Sequence, residues 1–167
     1  KVYPHRVFFD NDYNTKSNFL IEKDILKKHL LEIREKTNDE LVIEVRWERA
    51  RGCPYACSFC DWSSGLHNKV KRKKSSWKEE LDFLFSCPRV LVSPTDANWG
   101  MYEEDIEITN YAVDHGSFYV SNVSKLNKDR VYKLYDIMIN GKKSLTRKLK
   151  LSFQDIHEDV LDNISRP

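Results

Sequence analysis

No uninterrupted apolar stretch in this sequence runs beyond a few residues, far short of the roughly 20 needed to cross a bilayer. No signal peptide is visible at the N-terminus, and the chain opens on Lys1 rather than Met. The expectation is an excised or processed piece of a longer protein, extending beyond the C-terminus and the N-terminus. An excess of one charge is also missing. The net charge is +2, so neither a membrane nor nucleic acid is an expected partner. Cysteine is scarce, at Cys53, Cys57, Cys60 and Cys87. A secreted disulfide framework scatters an even number across loops, whereas here three crowd together and Cys87 stands alone at the end of an expected helix. The pattern points to a reducing, cytoplasmic setting with metal-binding thiols, and to Cys87 as a small buried hydrophobe. What is present, 167 residues that are 40% apolar and 32% charged, suffices for one soluble domain with a real core.

Residues 1–17 carry aromatics and Asn or Asp without period and read as an irregular arm. A helix is expected over 21–36, with Ile25, Leu26, Leu30 and Ile33 on one side. Residues 1–40 are therefore an N-terminal arm and helix. From Leu41 the period changes to two, as Ile43, Val45 and Trp47 alternate with Glu44, Arg46 and Glu48. Ser76-Trp77-Lys78-Glu79 has the capping-box form and opens a helix with Trp77, Leu81, Leu84 and Phe85 on one face. Val90-Leu91-Val92 is a short strand, and the acidic stretch 103–114 ends at Gly116, a helix stop. A strand over 118–123 and a helix over 129–139 follow, the helix presenting Val131, Leu134, Tyr135 and Met138. A strand over 148–154 and a short helix over 158–164 complete the series. Four strand–helix units in succession predict an α/β fold over 41–167, with parallel strands and helices packed outside.

Such a sheet is either a doubly wound layer or part of a barrel. The polar clusters all fall at the C-terminal ends of strands, where both architectures build their sites. Strand one delivers the cysteine loop, strand two Asp96 and Asn98, strand three Ser121 and Asn122, and strand four Ser152, Gln154 and Asp155. Glu44 and Arg46, facing inward on strand one, favour a barrel with a solvated, ligand-holding interior. The alternative is that the strand charges, Lys148 and Lys150 among them, are ordinary solvent-facing positions on an incomplete sheet.

The loop reads Gly52-Cys53-Pro54-Tyr55-Ala56-Cys57-Ser58-Phe59-Cys60-Asp61-Trp62. Its C-x3-C-x2-C spacing brings three thiolates into one loop, which is how a protein grips an iron–sulfur cluster or a soft metal. A cubic four-iron cluster held by three cysteines keeps one iron without a protein ligand. An open metal position marks a reactive site rather than a structural one.

This spacing, with aromatic Phe59 just before the last cysteine, resembles the signature of the radical S-adenosylmethionine enzymes. The wider loop, Asp96-Ala97-Asn98-Trp99-Gly100 and Ser152-Phe153-Gln154-Asp155-Ile156-His157 are similar to the subgroup often fused to a cobalamin-binding domain. The resemblance implies a partial TIM barrel of about four βα units out of about six. It implies a 4Fe-4S cluster on Cys53, Cys57 and Cys60, with S-adenosylmethionine chelating the fourth iron. One electron from the cluster then cleaves the sulfonium to methionine and a 5′-deoxyadenosyl radical, which takes hydrogen from a substrate. In the same implied scheme Phe59 lies near the adenine. Asp96 and Asn98 occupy the segment that meets the methionine amino group, where the family often reads Gly-Gly-Glu. Ser152 and Gln154 match contacts to ribose or carboxylate, and Asn122 faces substrate or cofactor. An electron donor such as flavodoxin or ferredoxin is implied as partner, together with a small-molecule or modified-polymer substrate. Cobalamin enters only through the subgroup.

Rival readings stand beside this one. A non-catalytic structural zinc module needs a fourth ligand, which His67 or Cys87 would supply, but zinc ligands usually come as separated pairs. An electron-transfer ferredoxin needs a fourth cysteine close by. The basic run Lys69-Val70-Lys71-Arg72-Lys73-Lys74 reads as a solvated loop or as a contact for a phosphate-bearing substrate. His157 reads as a helix cap or packing residue, and Trp62 and Trp99 as core or lid.

Overall fold

A computed structural model describes residues 23–37, 41–55, 57–60, 70–120, 123, 128–143 and 157–164. In chain order α1 spans Lys23–Lys36, β1 Ile43–Trp47, β2 Ala50–Arg51, β3 Lys71–Arg72, α2 Trp77–Ser86, β4 Val90–Pro94, α3 Glu103–His115, β5 Ser117–Phe118, α4 Lys128–Asn140 and α5 Glu158–Asn163. The strands β1, β4 and β5 form a parallel sheet in that order, and β2 pairs antiparallel with β3. The chain is thus α/β, with helices alternating with parallel strands as the sequence pattern predicts.

The register explains which residues build the core. Ile43 pairs with Val90, Val45 with Val92 and Trp47 with Pro94, while Phe118 pairs with Val92 from the other side. Successive strand residues point to opposite faces, so these apolar positions share one face. That face packs against Leu30 of α1, Leu81 and Leu84 of α2, Ala112 and Val113 of α3, and Leu134 and Met138 of α4. The other face carries Glu44, Arg46, Leu91, Ser93 and Ser117 by the same register. Glu44 and Arg46 lie on the face opposite that core, but they are exposed and pair with each other at 3.2 Å. Among the described strands they do not line an enclosed interior.

Several expectations change in detail. On α1 only Leu30 is buried and Leu26 packs beside it, whereas Ile25 is 60% and Ile33 43% exposed. Its apolar stripe is therefore narrower than the spacing suggested. Tyr135 of α4 is likewise exposed, whereas Leu134 and Met138 are buried and Val131 packs against the core as expected, joined by Ile137. The α2 cap forms as read, with Ser76 Oγ accepting the Glu79 N–H at 3.4 Å. Gly116 ends α3 in an extended conformation (φ −159°) rather than a left-handed one. Its lack of a side chain serves space, because a Cβ there would run into the Phe85 ring. The third strand is shorter than 118–123, yet Tyr119 N–H still donates to Val92 O at 3.0 Å and Val123 bridges Trp99 in parallel. The arm 1–17 and the expected strand 148–154 lie outside the described residues.

Candidate functional site

The C-terminal ends of β1 and β4 lie side by side, since Trp47 pairs with Pro94. The ladder continues one step past the strand end, with Thr95 N–H donating to Trp47 O at 2.8 Å. The next residue, Asp96, reaches across to the outgoing chain of β1, where its Oδ1 accepts the Arg49 N–H at 2.8 Å. Asp96 is only 4% exposed. Burial pushes its carboxyl up to about 7, against the pull of the Arg49 and Ala50 N–H groups. A buried carboxylate thus fastens the end of β4 to the stretch that leads through β2 into the cysteines.

Charged side chains support this junction from beneath. Arg49 is fully buried, with Nη1 donating to Ser75 O and Oγ at 3.1 Å and Nη2 to Lys73 O at 3.2 Å. Burial lowers its pKa, and the carboxylates of Glu80 and Glu104 resist that shift. Glu80, also fully buried, accepts from Trp47 Nε1 at 2.7 Å and from Ser75 Oγ at 2.6 Å. Arg72 Nη2 donates to Glu104 and, at 3.2 Å, to Asp105, while its guanidinium lies 3.9 Å from the Tyr102 ring centroid. Asp105 in turn accepts the N–H groups of Gly100 at 3.0 Å and Tyr102 at 3.1 Å, closing the first turn of α3.

The basic run is therefore only partly a solvated loop. Lys71 and Lys74 are exposed, but Arg72 and Lys73 are half-buried, and Arg72 is already engaged by acidic side chains. No pattern in that run signals the pairing. The better signal is Glu80, a charge placed at helical spacing among Trp77, Leu81 and Leu84.

Above this base the loop turns at Gly52, whose φ of +102° suits glycine. Cys57 is buried, Cys53 and Cys60 are half-exposed, and no cysteine forms a disulfide. The Cys60 N–H donates to Cys57 O at 3.1 Å, making a tight turn that leaves Phe59 51% exposed. Asn98 Nδ2 donates to Cys53 Sγ at 3.2 Å, and Tyr55 OH donates to Met101 Sδ at 3.6 Å. The Ser58 N–H donates to Ile164 O at 3.0 Å, joining the loop to the end of α5. The structure therefore brings the Cys53 end of the loop together with Asp96 and Asn98 at one rim of the sheet, with Phe59 on the same loop. Asn122, Ser152 and Gln154 lie outside the described residues, as does His67. Trp99 is core, its ring 6.1 Å from Trp47 and 5.9 Å from Phe118, with Nε1 donating to Thr109 Oγ1.

Among the described residues no three His, Cys, Asp or Glu side chains are grouped as ligands of a single metal ion. Three thiols on one loop, one of them accepting an amide N–H, are a soft all-sulfur donor set that fits an iron–sulfur cluster. A cubic cluster places its thiolates on separate irons, so its ligands stand farther apart than those of one zinc ion. Cys87 sits at the opposite end of the sheet, just before β4, with its thiol on Phe83 O at 3.6 Å.

No protein-family model matches the chain. Two curated proteins do, each 30% identical over 135 residues, covering 72% of this chain. One is the 2-(S-pantetheinyl)-carbapenam-3-carboxylate methyltransferase of Streptantibioticus cattleyicolor. The other is the cobalamin-dependent radical SAM methyltransferase TokK of Streptomyces tokunonensis. The chain spans 18% of the length of each.

Proposed function

We propose that this chain is part of the catalytic barrel of a radical S-adenosylmethionine enzyme, with Cys53, Cys57 and Cys60 as the protein ligands of a 4Fe-4S cluster. The observation that carries the reading is the C-x3-C-x2-C loop at the C-terminal rim of a parallel sheet, with no cysteine in a disulfide. The similarity to two methyltransferases, one of them named as a radical SAM enzyme, supports it. The sheet face opposite that core, with Glu44, Arg46 and Ser93, is then the inner wall of the barrel.

When bound, the cluster supplies the electron that splits S-adenosylmethionine into methionine and a 5′-deoxyadenosyl radical. The chain's own residues hold and shield. The exposed Phe59 offers an apolar surface to an adenine, Asp96 brings a polar group to the same rim, and Asn98 there faces the Cys53 sulfur. Asn122, Ser152 and Gln154 complete the cosubstrate contacts in this reading. The thiols require a reducing, cytoplasmic setting, and the electron comes from a small donor of the flavodoxin or ferredoxin class. Methyl transfer is the reaction class that both relatives' names suggest, one name giving a small-molecule substrate and the other adding cobalamin. Zinc is the weaker alternative, because its ligands usually come as separated pairs rather than three on one loop, and Cys87 lies at the wrong end of the sheet to be the fourth.

Iron and sulfide analysis with electron paramagnetic resonance of the anaerobically reconstituted protein tests this. The expected result is a reducible cluster that Cys57→Ala cannot assemble. A colourless protein that loads zinc instead would overturn the reading.

A further inference from the structure

Asn98 makes a contact that the cosubstrate role does not explain. Its Nδ2 lies 3.2 Å from Cys53 Sγ. A thiolate ligand carries no hydrogen and only accepts, so a facing carboxamide presents its NH2 group rather than its carbonyl oxygen.

The contact is held by a rigid frame. Two residues before Asn98, the buried Asp96 carboxylate grips the Arg49 N–H. Two residues after it, the Gly100 N–H is held by the buried Asp105 carboxylate. Met101 N–H donates to Asn98 O at 3.2 Å, closing the turn between these anchors. Asp96 also fixes the stretch of chain that runs on to Cys53, so donor and acceptor belong to one frame.

Hydrogen bonds to cluster thiolates tune the reduction potential of the cluster. An N–H dipole aimed at sulfur stabilises negative charge. Reduction adds an electron to the cluster, so the reduced state gains more than the oxidised one and the potential rises. We infer that Asn98 is a positioning residue that acts through Cys53, raising the reduction potential of the cluster rather than binding S-adenosylmethionine. This rests on the cluster reading above.

The test is a potentiometric titration of the reconstituted full-length protein, followed by electron paramagnetic resonance and run first without S-adenosylmethionine. Asn98→Leu removes the donor, and Asn98→Asp keeps the shape while setting an acceptor against the sulfur. Both variants lower the midpoint, Asn98→Asp more, by a roughly tenfold change in the reduction equilibrium, or about 59 mV for one electron. A midpoint equal to that of the unaltered protein overturns the inference. So does a shift that arises only when S-adenosylmethionine is added, which would assign Asn98 to the cosubstrate. Loss of the cluster from both variants, with unchanged melting temperatures, overturns it too, because Asn98 would then serve assembly. If the unaltered protein binds no cluster, the failure belongs to the proposed function and not to Asn98.

Discussion

Asp96 shows how much one carboxyl group does at this rim. It stands where water scarcely reaches, and its role in the fold is to accept backbone N–H groups of the neighbouring strand's exit. Its ordinary value of 3.8 rises to about 7 on burial. Between those values the folded chain holds a proton that the unfolded chain has released, so stability falls as pH rises through that window, by about 1.4 kcal/mol per pH unit for one proton. Burial pushes Asp105 in the same direction. Asp96→Asn keeps an oxygen for the Arg49 N–H and removes the titration. Thermal melts of the cluster-free protein at about pH 5 and about pH 8 should show a loss of stability that is smaller in Asp96→Asn. Equal losses in the two proteins would show that Asp96 does not titrate there. Asp96→Ala leaves the buried Arg49 N–H without this acceptor and should cost about 2 kcal/mol.

At the scale of elements, the short β2–β3 pair and its ionic base separate what the sequence displays from what it hides. Helices α2 and α4 and strands β1 and β4 were legible because period and burial agree: Leu81 and Leu84, or Val90 and Val92, recur at the spacing of their own element. The β2–β3 pair was not, because two residues per strand are too few for any period, and Ala50 and Arg51 meet Arg72 and Lys71 only through tertiary structure. Ile25 and Ile33 misled for the converse reason, as helical spacing shows a face and says nothing about what covers it. Arg72 looks like one cation in a solvated run, yet it holds Glu104 and the buried Asp105. Arg72→Met should therefore destabilise the protein by about 3 kcal/mol, by stripping a buried carboxylate of its partner, whereas the exposed Lys71→Glu should change stability by less than about 0.5 kcal/mol. Denaturant unfolding of both variants checks the difference, and equal small effects would mean that the ionic base is superficial.

For the whole molecule, the sheet has two unlike faces. One is sealed by helices around Trp47, Val92 and Phe118, and the other carries Glu44, Arg46 and Ser93. The cysteine loop, Asp96 and Asn98 gather at one end of that sheet, which is where α/β folds build chemistry. The three cysteines were legible because cluster ligation is written in local spacing. The frame that aims Asn98 at Cys53 was not, since it depends on residues 45 positions apart coming to 3.2 Å. No helix among the described residues is long and apolar enough to cross a membrane. Whether these thiols hold a cluster that splits S-adenosylmethionine is read by incubating the reconstituted, reduced full-length protein with S-adenosylmethionine and measuring 5′-deoxyadenosine. A radical SAM enzyme forms it, and Cys57→Ala abolishes it. A fully loaded, reduced cluster that leaves S-adenosylmethionine intact would contradict the claim.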